Sequence, residues 1–415
     1  MKSLKTSCKI ILIVIILSIL NTCFPYVTAQ SPVQGTQNYI VMELEHEQIL
    51  YKLNSEKETN SSILNRLMTC LITMDYQSVT THITPKKDSI SRNERFRLSA
   101  KEQYSIDSLI KATMLGGADN TAIALAEHIA ASEQEFVGLM NEKAKQLGLK
   151  NTFFANVDGS PNELQHTTVL DMAIFIKHSL KNPHFKSIFM QELALWDDLV
   201  ISNGNKLVIE NNTSYKVGGV LGYFNNITTA QNISIFYVET GPTEFKDTMK
   251  LLIIVAGSTD EQYVQTSELL LENVLNNYKR DQLVKEGEII YDMVVDDEKL
   301  NVVAASDVYC IMPKDIGNVL QNKSFTFIEG YGPDEIRPPI AAGTILGTAN
   351  YHLKDGSIIR FSMKADRDIE LKKTTVKSLL DKIREYDELY TLLIALLILE
   401  AIILLLKLVA KISSK

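Results

Sequence analysis

Two unbroken apolar runs bracket a long stretch in which apolar residues recur at the spacings of strands and helices. The first run, Ile10–Leu17, follows Lys2, Lys5 and Lys9 and precedes the small-residue site Val27-Thr28-Ala29. That layout is a secretory signal peptide cleaved after Ala29, so residues 1–29 are set apart from the fold. The second run, Leu389–Val409, is apolar apart from Glu400, with Lys407, Lys411 and Lys415 at its far end. About 20 such residues span a bilayer. Basic residues collect on the cytoplasmic side, which places the tail 410–415 inside and everything from Gln30 to about Glu388 outside the membrane.

Between the runs, Tyr39–Leu44 and Gln48–Lys52 alternate as two strands joined by a short polar turn. Asn60-Ser61-Ser62 then leads into the apolar segment Leu67–Ile72, a helix start in which any of the three side chains can accept a backbone N–H. Ser105 can cap a second helix, and Gly116-Gly117 reads as a turn into a third, with Asp119 as its cap. Phe136, Met140, Ala144 and Leu147 lie three or four apart on one helical face that Gly148 ends. Strands are expected at Ile233–Val238 and Met249–Ser258, and a helix at Glu261–Tyr278.

After Lys279 the pattern changes to short strands such as Glu288–Tyr291 and Val302–Ala305, with a turn-rich break at Pro333-Asp334. That suggests a small β domain. The expected divisions are a first domain over 30–280, a β domain over 281–371, an amphipathic linker helix over 372–388, a transmembrane helix over 389–409 and the tail. The linker sets Val376, Leu379, Leu380 and Ile383 against Lys372, Lys373, Lys377 and Lys382; it either lies on the membrane surface or packs as a stalk.

Composition narrows the function. Removing the two membrane-directed segments leaves roughly 360 residues, enough for two cores. A net charge of -8 and a pI near 5.5 argue against nucleic acid as a partner. Of the four cysteines, Cys8 and Cys23 fall in the leader. Cys70 and Cys310 stand in separate domains without zinc-type spacing, so buried free thiols are expected and neither a metal nor a cofactor is. His166 has no second histidine close by and reads as a surface or cap residue. Glu400 sits near the middle of the apolar span, where it is either harmless in a Leu-rich helix or hydrogen-bonded to another helix.

Several of these segments, taken together, resemble the D-alanyl-D-alanine carboxypeptidases, low-molecular-mass penicillin-binding proteins of the serine peptidase type. Leu67-Met68-Thr69 resembles the end of that family's Pro-Ala-Ser-x-x-Lys-hydrophobic-Met-Thr nucleophile segment. The alignment puts Ile63 where the acylated serine stands and Arg66 where the lysine base stands. Gly116–Glu127 resembles Ser-x-Asn followed by an Ala-Leu-Ala-Glu helix, with Gly117 at the serine and Asp119 at the asparagine. The helix 135–149, the Asn151-Thr152-Phe153-Phe154 turn and His166–Ala173 also match the family's scaffold.

For the family's Lys-Thr-Gly strand two registers compete. Tyr215-Lys216-Val217-Gly218 keeps the lysine, whereas Val220-Leu221-Gly222-Tyr223 keeps the spacing from Asn203-Gly204-Asn205 and is preferred. Arg337–Gly347 resembles the signature of the family's C-terminal β domain.

The resemblance implies an α/β fold: a β-lactamase/transpeptidase-like domain (antiparallel sheet with helices), a small β-sandwich domain and the C-terminal transmembrane helix. It also implies peptidoglycan metabolism outside a bacterial membrane. Isoleucine has no nucleophilic atom and a guanidinium stays protonated, so catalysis by the family route is blocked twice. A pseudoenzyme is expected, binding a peptidoglycan stem peptide or a cell-wall synthesis protein. The alternative is a working serine-type D-Ala-D-Ala carboxypeptidase that uses Ser61 or Ser62, although Leu64 and Asn65, not lysines, stand three residues on.

Overall fold

The computed structural model describes residues 37–90, 96–196, 199–209, 215–225, 230–240, 248–315, 319–371 and 387–413. The expected leader, with Cys8 and Cys23, and the linker through residue 386 lie outside them. The described residues up to Glu286, with Ser306–Thr326 and Thr348–Phe361, form one compact unit; Gly287–Ala305, Phe327–Gly347 and the described residues from Ser362 onward form a second.

The first unit is built on an antiparallel five-stranded sheet, β1 (Asn38–Glu43), β2 (Gln48–Leu53), β7 (Lys216–Asn225), β8 (Ala230–Thr240) and β9 (Met249–Ser258), in the order β2-β1-β9-β8-β7. Strand residues alternate between faces, and here both faces are covered. Ile40, Met42, Val220, Ile235, Leu252 and Ile254 face a helical layer. Tyr39, Val41, Val238, Leu251, Ile253 and Val255 face Tyr263, Leu270 and Val274 of a helix on the other side, α7 (Asp260–Asn277). A strand covered on both faces reads as a continuous apolar run, which is why 251–256 is Leu-Leu-Ile-Ile-Val-Ala.

The helical layer holds α1 (Ser62–Tyr76), α2 (Ile106–Met114), α3 (Asp119–Ile129), α4 (Glu133–Leu147), α5 (Val169–Ser179) and α6 (Pro183–Phe189). Every residue of α1 from Ser62 to Thr73 is buried, so α1 is the layer's central helix. The ends follow local chemistry. Ser105 Oγ accepts from Ser108 N at 3.1 Å, Ser132 Oγ from Glu135 N at 3.2 Å and Thr168 Oγ1 from Asp171 N at 3.1 Å. Gly148 ends α4 in the left-handed conformation, and Phe136, Met140 and Ala144 are its buried face.

Two short ladders, β3 (His82–Ile83) with β4 (Tyr104–Ser105) and β5 (Leu193–Trp196) with β6 (Leu199–Ser202), lie beside this layer. The same unit contains the antiparallel pair β10 (Tyr278–Val284) and β13 (Val308–Pro313). The Gln48 side chain docks on β13 as a strand neighbour would: its Nε2 donates to Ile311 O at 3.1 Å and its Oε1 accepts from Ile311 N at 2.8 Å.

In the second unit, β11 (Ile289–Val295) and β12 (Glu298–Ala304) form a hairpin closed by Asp296 and Asp297, both at positive φ. That is the two-residue turn whose twist suits paired strands. With β14 (Leu320–Phe327), β15 (Ile345–Leu353) and β16 (Ile358–Ala365) the hairpin belongs to a five-stranded sheet in the order β11-β12-β16-β15-β14. Short strands thus follow Lys279 as the pattern suggested, with β10, β13 and most of β14 belonging to the first unit.

The last described element is α8 (Asp387–Ser413), 27 residues long. Among the described residues no helix is long and apolar enough to cross a membrane. The expected span Leu389–Val409 lies within α8. Cys70 and Cys310 are both free and buried. Burial pushes both thiols up, that of Cys310 to about 12, so neither is poised as a thiolate.

Candidate active site

Helix α1 begins where the Asn60 Oδ1 accepts from Ser62 N at 2.7 Å. Of the three expected candidates, Asn60 is the one whose side chain accepts a backbone N–H here; Ser61 is the N-cap residue and its side chain caps nothing, which corrects the reading that both serines cap the helix. Both serines are buried and neither hydroxyl has a hydrogen-bond partner among the described residues. Gly159 runs so close to the first turn that a Cβ there would overlap the Ser62 carbonyl oxygen and lie 2.7 Å from Ser62 Cα.

One residue further, Ile63 is 1 % exposed and packs against β7. A Cβ added at Gly222 would stand 2.6 Å from Ile63 Cβ and 3.0 Å from Cγ2, so the missing side chain at 222 makes room for the isoleucine. Position 63 on α1 and position 222 on β7 are therefore in contact, with hydrocarbon on one side and bare backbone on the other.

Arg66, one turn on, directs Nη1 to Asp119 Oδ1 at 3.1 Å and to Asp158 O at 3.2 Å. The guanidinium side is 9 % exposed and the carboxylate side 35 %. The expectation that Asp119 caps α3 is corrected here. Ala118 is the N-cap, no side chain caps the helix, and the carboxylate turns to the buried guanidinium, which without a counter-charge would cost far more than an unfilled cap. At the first helical position its charge also suits the N-terminal dipole.

Gly117 has φ +65 and nothing within 4 Å of where a Cβ would be. The α3 side of the arrangement is therefore open, in contrast to the β7 side.

The remaining positions separate cleanly. Val220 is fully buried; its carbonyl accepts from Asn205 Nδ2 at 3.4 Å, and the Asn203 Nδ2 holds the neighbouring Gly219 O at 2.9 Å. Lys216 is exposed, six residues before Gly222 along β7, or about 20 Å at strand spacing. It pairs in register with Glu239, whose carboxyl, although buried, is held below the ordinary range by hydrogen bonds from Tyr237 and Lys186 and by the charges of Lys186 and Lys216. The structure brings Ile63 to Gly222 and Arg66 to Asp119, and leaves Lys216 outside that group. His166 forms an isolated antiparallel bridge with Phe153, its Nδ1 3.0 Å from Leu164 O, and no group of residues that could hold a metal occurs among the described residues.

Sequence reasoning passed over the other flank of α1. Asn65 Nδ2 donates to Asn156 Oδ1 at 2.9 Å and to Gln165 Oε1 at 2.9 Å, and Thr69 Oγ1 donates to Val157 O at 2.9 Å. The signal was available as two polar residues, four apart, inside a helix buried all round.

Comparison with known proteins accounts for this construction. The family profile D-alanyl-D-alanine carboxypeptidase matches residues 26–226, and that of the penicillin-binding protein 5 C-terminal domain matches residues 277–371. The chain is 25 % identical over 346 residues to D-alanyl-D-alanine carboxypeptidase DacF of Bacillus subtilis, covering 80 % of this chain and 85 % of that one. It is 24 % identical over 352 residues to DacC of Escherichia coli, covering 80 % and 83 %.

Among solved structures, penicillin binding protein 5 from Haemophilus influenzae superposes with a TM-score of 0.65 at 22 % identity, covering 82 % of this chain and 99 % of that one. A peptidoglycan synthesis regulatory factor (PBP3) from Streptococcus pneumoniae does so at 0.66 and 18 %, covering 80 % and 98 %. These likenesses extend through both the transpeptidase-like domain and the C-terminal β domain, and the chain belongs to the D-alanyl-D-alanine carboxypeptidase family, the low-molecular-mass penicillin-binding proteins.

Proposed function

We propose that this chain is an extracytoplasmic, membrane-anchored member of its family that has lost acyl transfer and acts in peptidoglycan metabolism by binding a stem peptide or a cell-wall synthesis protein. The observation that carries the reading is the Ile63–Gly222 contact. Acylation needs a lone pair on the side chain facing the strand and a group that can accept its proton. Position 63 offers a hydrocarbon packed on Gly222, and position 66 offers a guanidinium already committed to Asp119.

The serine-enzyme alternative gains nothing from Ser61 and Ser62, which are 0 % and 2 % exposed. Anchoring is supported by the residues of α8 from Leu392 to Leu406, which are apolar apart from Glu400.

Incubation with penicillin followed by intact-mass measurement tests the loss of chemistry. The expected result is an unchanged mass; an adduct mapped to Ser61 or Ser62 would overturn the reading.

A further inference from the structure

The only carboxylate of α8 beyond its first turn is Glu400, at the exact middle of the helix, with thirteen residues on either side. That leaves about 20 Å of helix to each end, too far for a short side chain to reach water once the helix is embedded. Leu393, Leu397, Glu400, Leu404 and Lys407 follow one another at intervals of four, three, four and three, the spacing of a seam between two helices that wind around each other. Leu397 and Leu404 are 59 % and 62 % exposed, and Glu400 and Lys407 are exposed.

We infer that α8 pairs with the α8 of a second copy of this chain, in parallel, along this seam, with the two Glu400 side chains hydrogen-bonded to one another. The inference rests on the membrane-anchored reading above. A carboxyl within acyl chains must find a polar partner at its own depth. A foreign helix would need a polar group at the matching level, whereas a second copy supplies one by symmetry. Copies inserted by the same route run parallel, so residue 400 meets residue 400. Lys407, one heptad on, lies near the helix end, where its long stem carries the ammonium to water.

Full-length protein in membrane vesicles, oxidised after single cysteine substitution, tests this. Leu397→Cys lies on the seam and Leu399→Cys faces the opposite side; the native Cys70 and Cys310 are buried. Disulfide-linked dimer should form through Leu397→Cys and not through Leu399→Cys. Adding Glu400→Leu should weaken that dimer by roughly two- to tenfold, the range for one interhelical hydrogen bond, and Glu400→Gln, whose amide can pair with itself, should retain it. Equal cross-linking at both positions, or none at either in carbonate-resistant membranes, overturns the inference while leaving the anchor intact. Undiminished dimer with Glu400→Leu overturns the role of the carboxyl. Release of the parent protein by carbonate overturns both the inference and the anchor.

Discussion

Helix α1 is gripped on two sides by different means. On one flank, the Asn65 amide N–H groups and the Thr69 hydroxyl are tied to the 156–165 segment by hydrogen bonds. On the other, Ile63 fills the space above Gly222 and a single ion pair joins Arg66 to Asp119. The first flank belongs to a scaffold that relatives of quite different sequence also form. The second is where chemistry would have to occur, and its contacts are those of packing. On the reading proposed above, a site loses its reactive atoms without losing the fold because α1 is also held on the flank away from the reaction.

Substitutions on the two flanks separate these roles. The largest effect is expected from Gly159→Ala on the scaffold flank, where the new methyl would collide with backbone of α1 and the residue would be held at φ +82. Strain and overpacking together should cost roughly 3–5 kcal/mol in a denaturant titration. A loss below about 1 kcal/mol would mean that the 156–165 segment yields and does not grip.

Gly222→Ala should cost about 1–3 kcal/mol by overpacking against Ile63. In an Ile63→Ala background the same change should cost at least about 1 kcal/mol less, since neighbouring sites that share a contact are not additive. Equal penalties in both backgrounds would remove the Ile63–Gly222 contact from the comparison.

Asp119→Ala leaves a nearly buried guanidinium without its counter-charge. Because the carboxylate is 35 % exposed, the loss should be about 1–2 kcal/mol, below the 3–5 kcal/mol of a wholly buried pair. Restoring the family residue at the open side, Gly117→Ser, meets no atom within 4 Å and should cost only about 1 kcal/mol, from placing a side chain at φ +65. The smallest expected change is in activity. Ile63→Ser with Arg66→Lys should release no measurable D-alanine from a D-Ala-D-Ala peptide, because the residues of such a site act as a unit. Robust release would show the second flank to be nearer to an enzyme than its packing indicates.

Much of the scaffold was legible because its causes are local. Ser105 caps α2 and Phe136, Met140 and Ala144 line α4 as spacing alone requires. The run 251–256 names a strand covered on both faces. The second flank was harder to read because its contacts join residues far apart in the chain. Arg66 and Asp119 are 53 positions apart, and nothing local to either one calls for the other. The trace they left was relational: two positions of the resemblance, a lysine and an asparagine, had become an arginine and an aspartate, opposite charges that suit one another. Asp119 was misread as a cap for the same reason, since a carboxylate at a helix start is ordinarily claimed by the backbone. Asn60 was one of three equivalent cap candidates, and nothing in the local sequence told it apart from the two serines.

The Gln48 side chain, finally, makes one backbone amide into a gauge. Ile311 N–H is covered by the Gln48 Oε1 and not by a neighbouring strand. The amides of β13 that bond to β10 open to solvent only when that ladder opens, whereas this proton is guarded by a single rotatable amide group at the end of a hairpin. Its exchange with deuterium therefore times the detachment of the β1–β2 hairpin from β13, independently of any unfolding of the sheet, and gives that small movement a clock of its own.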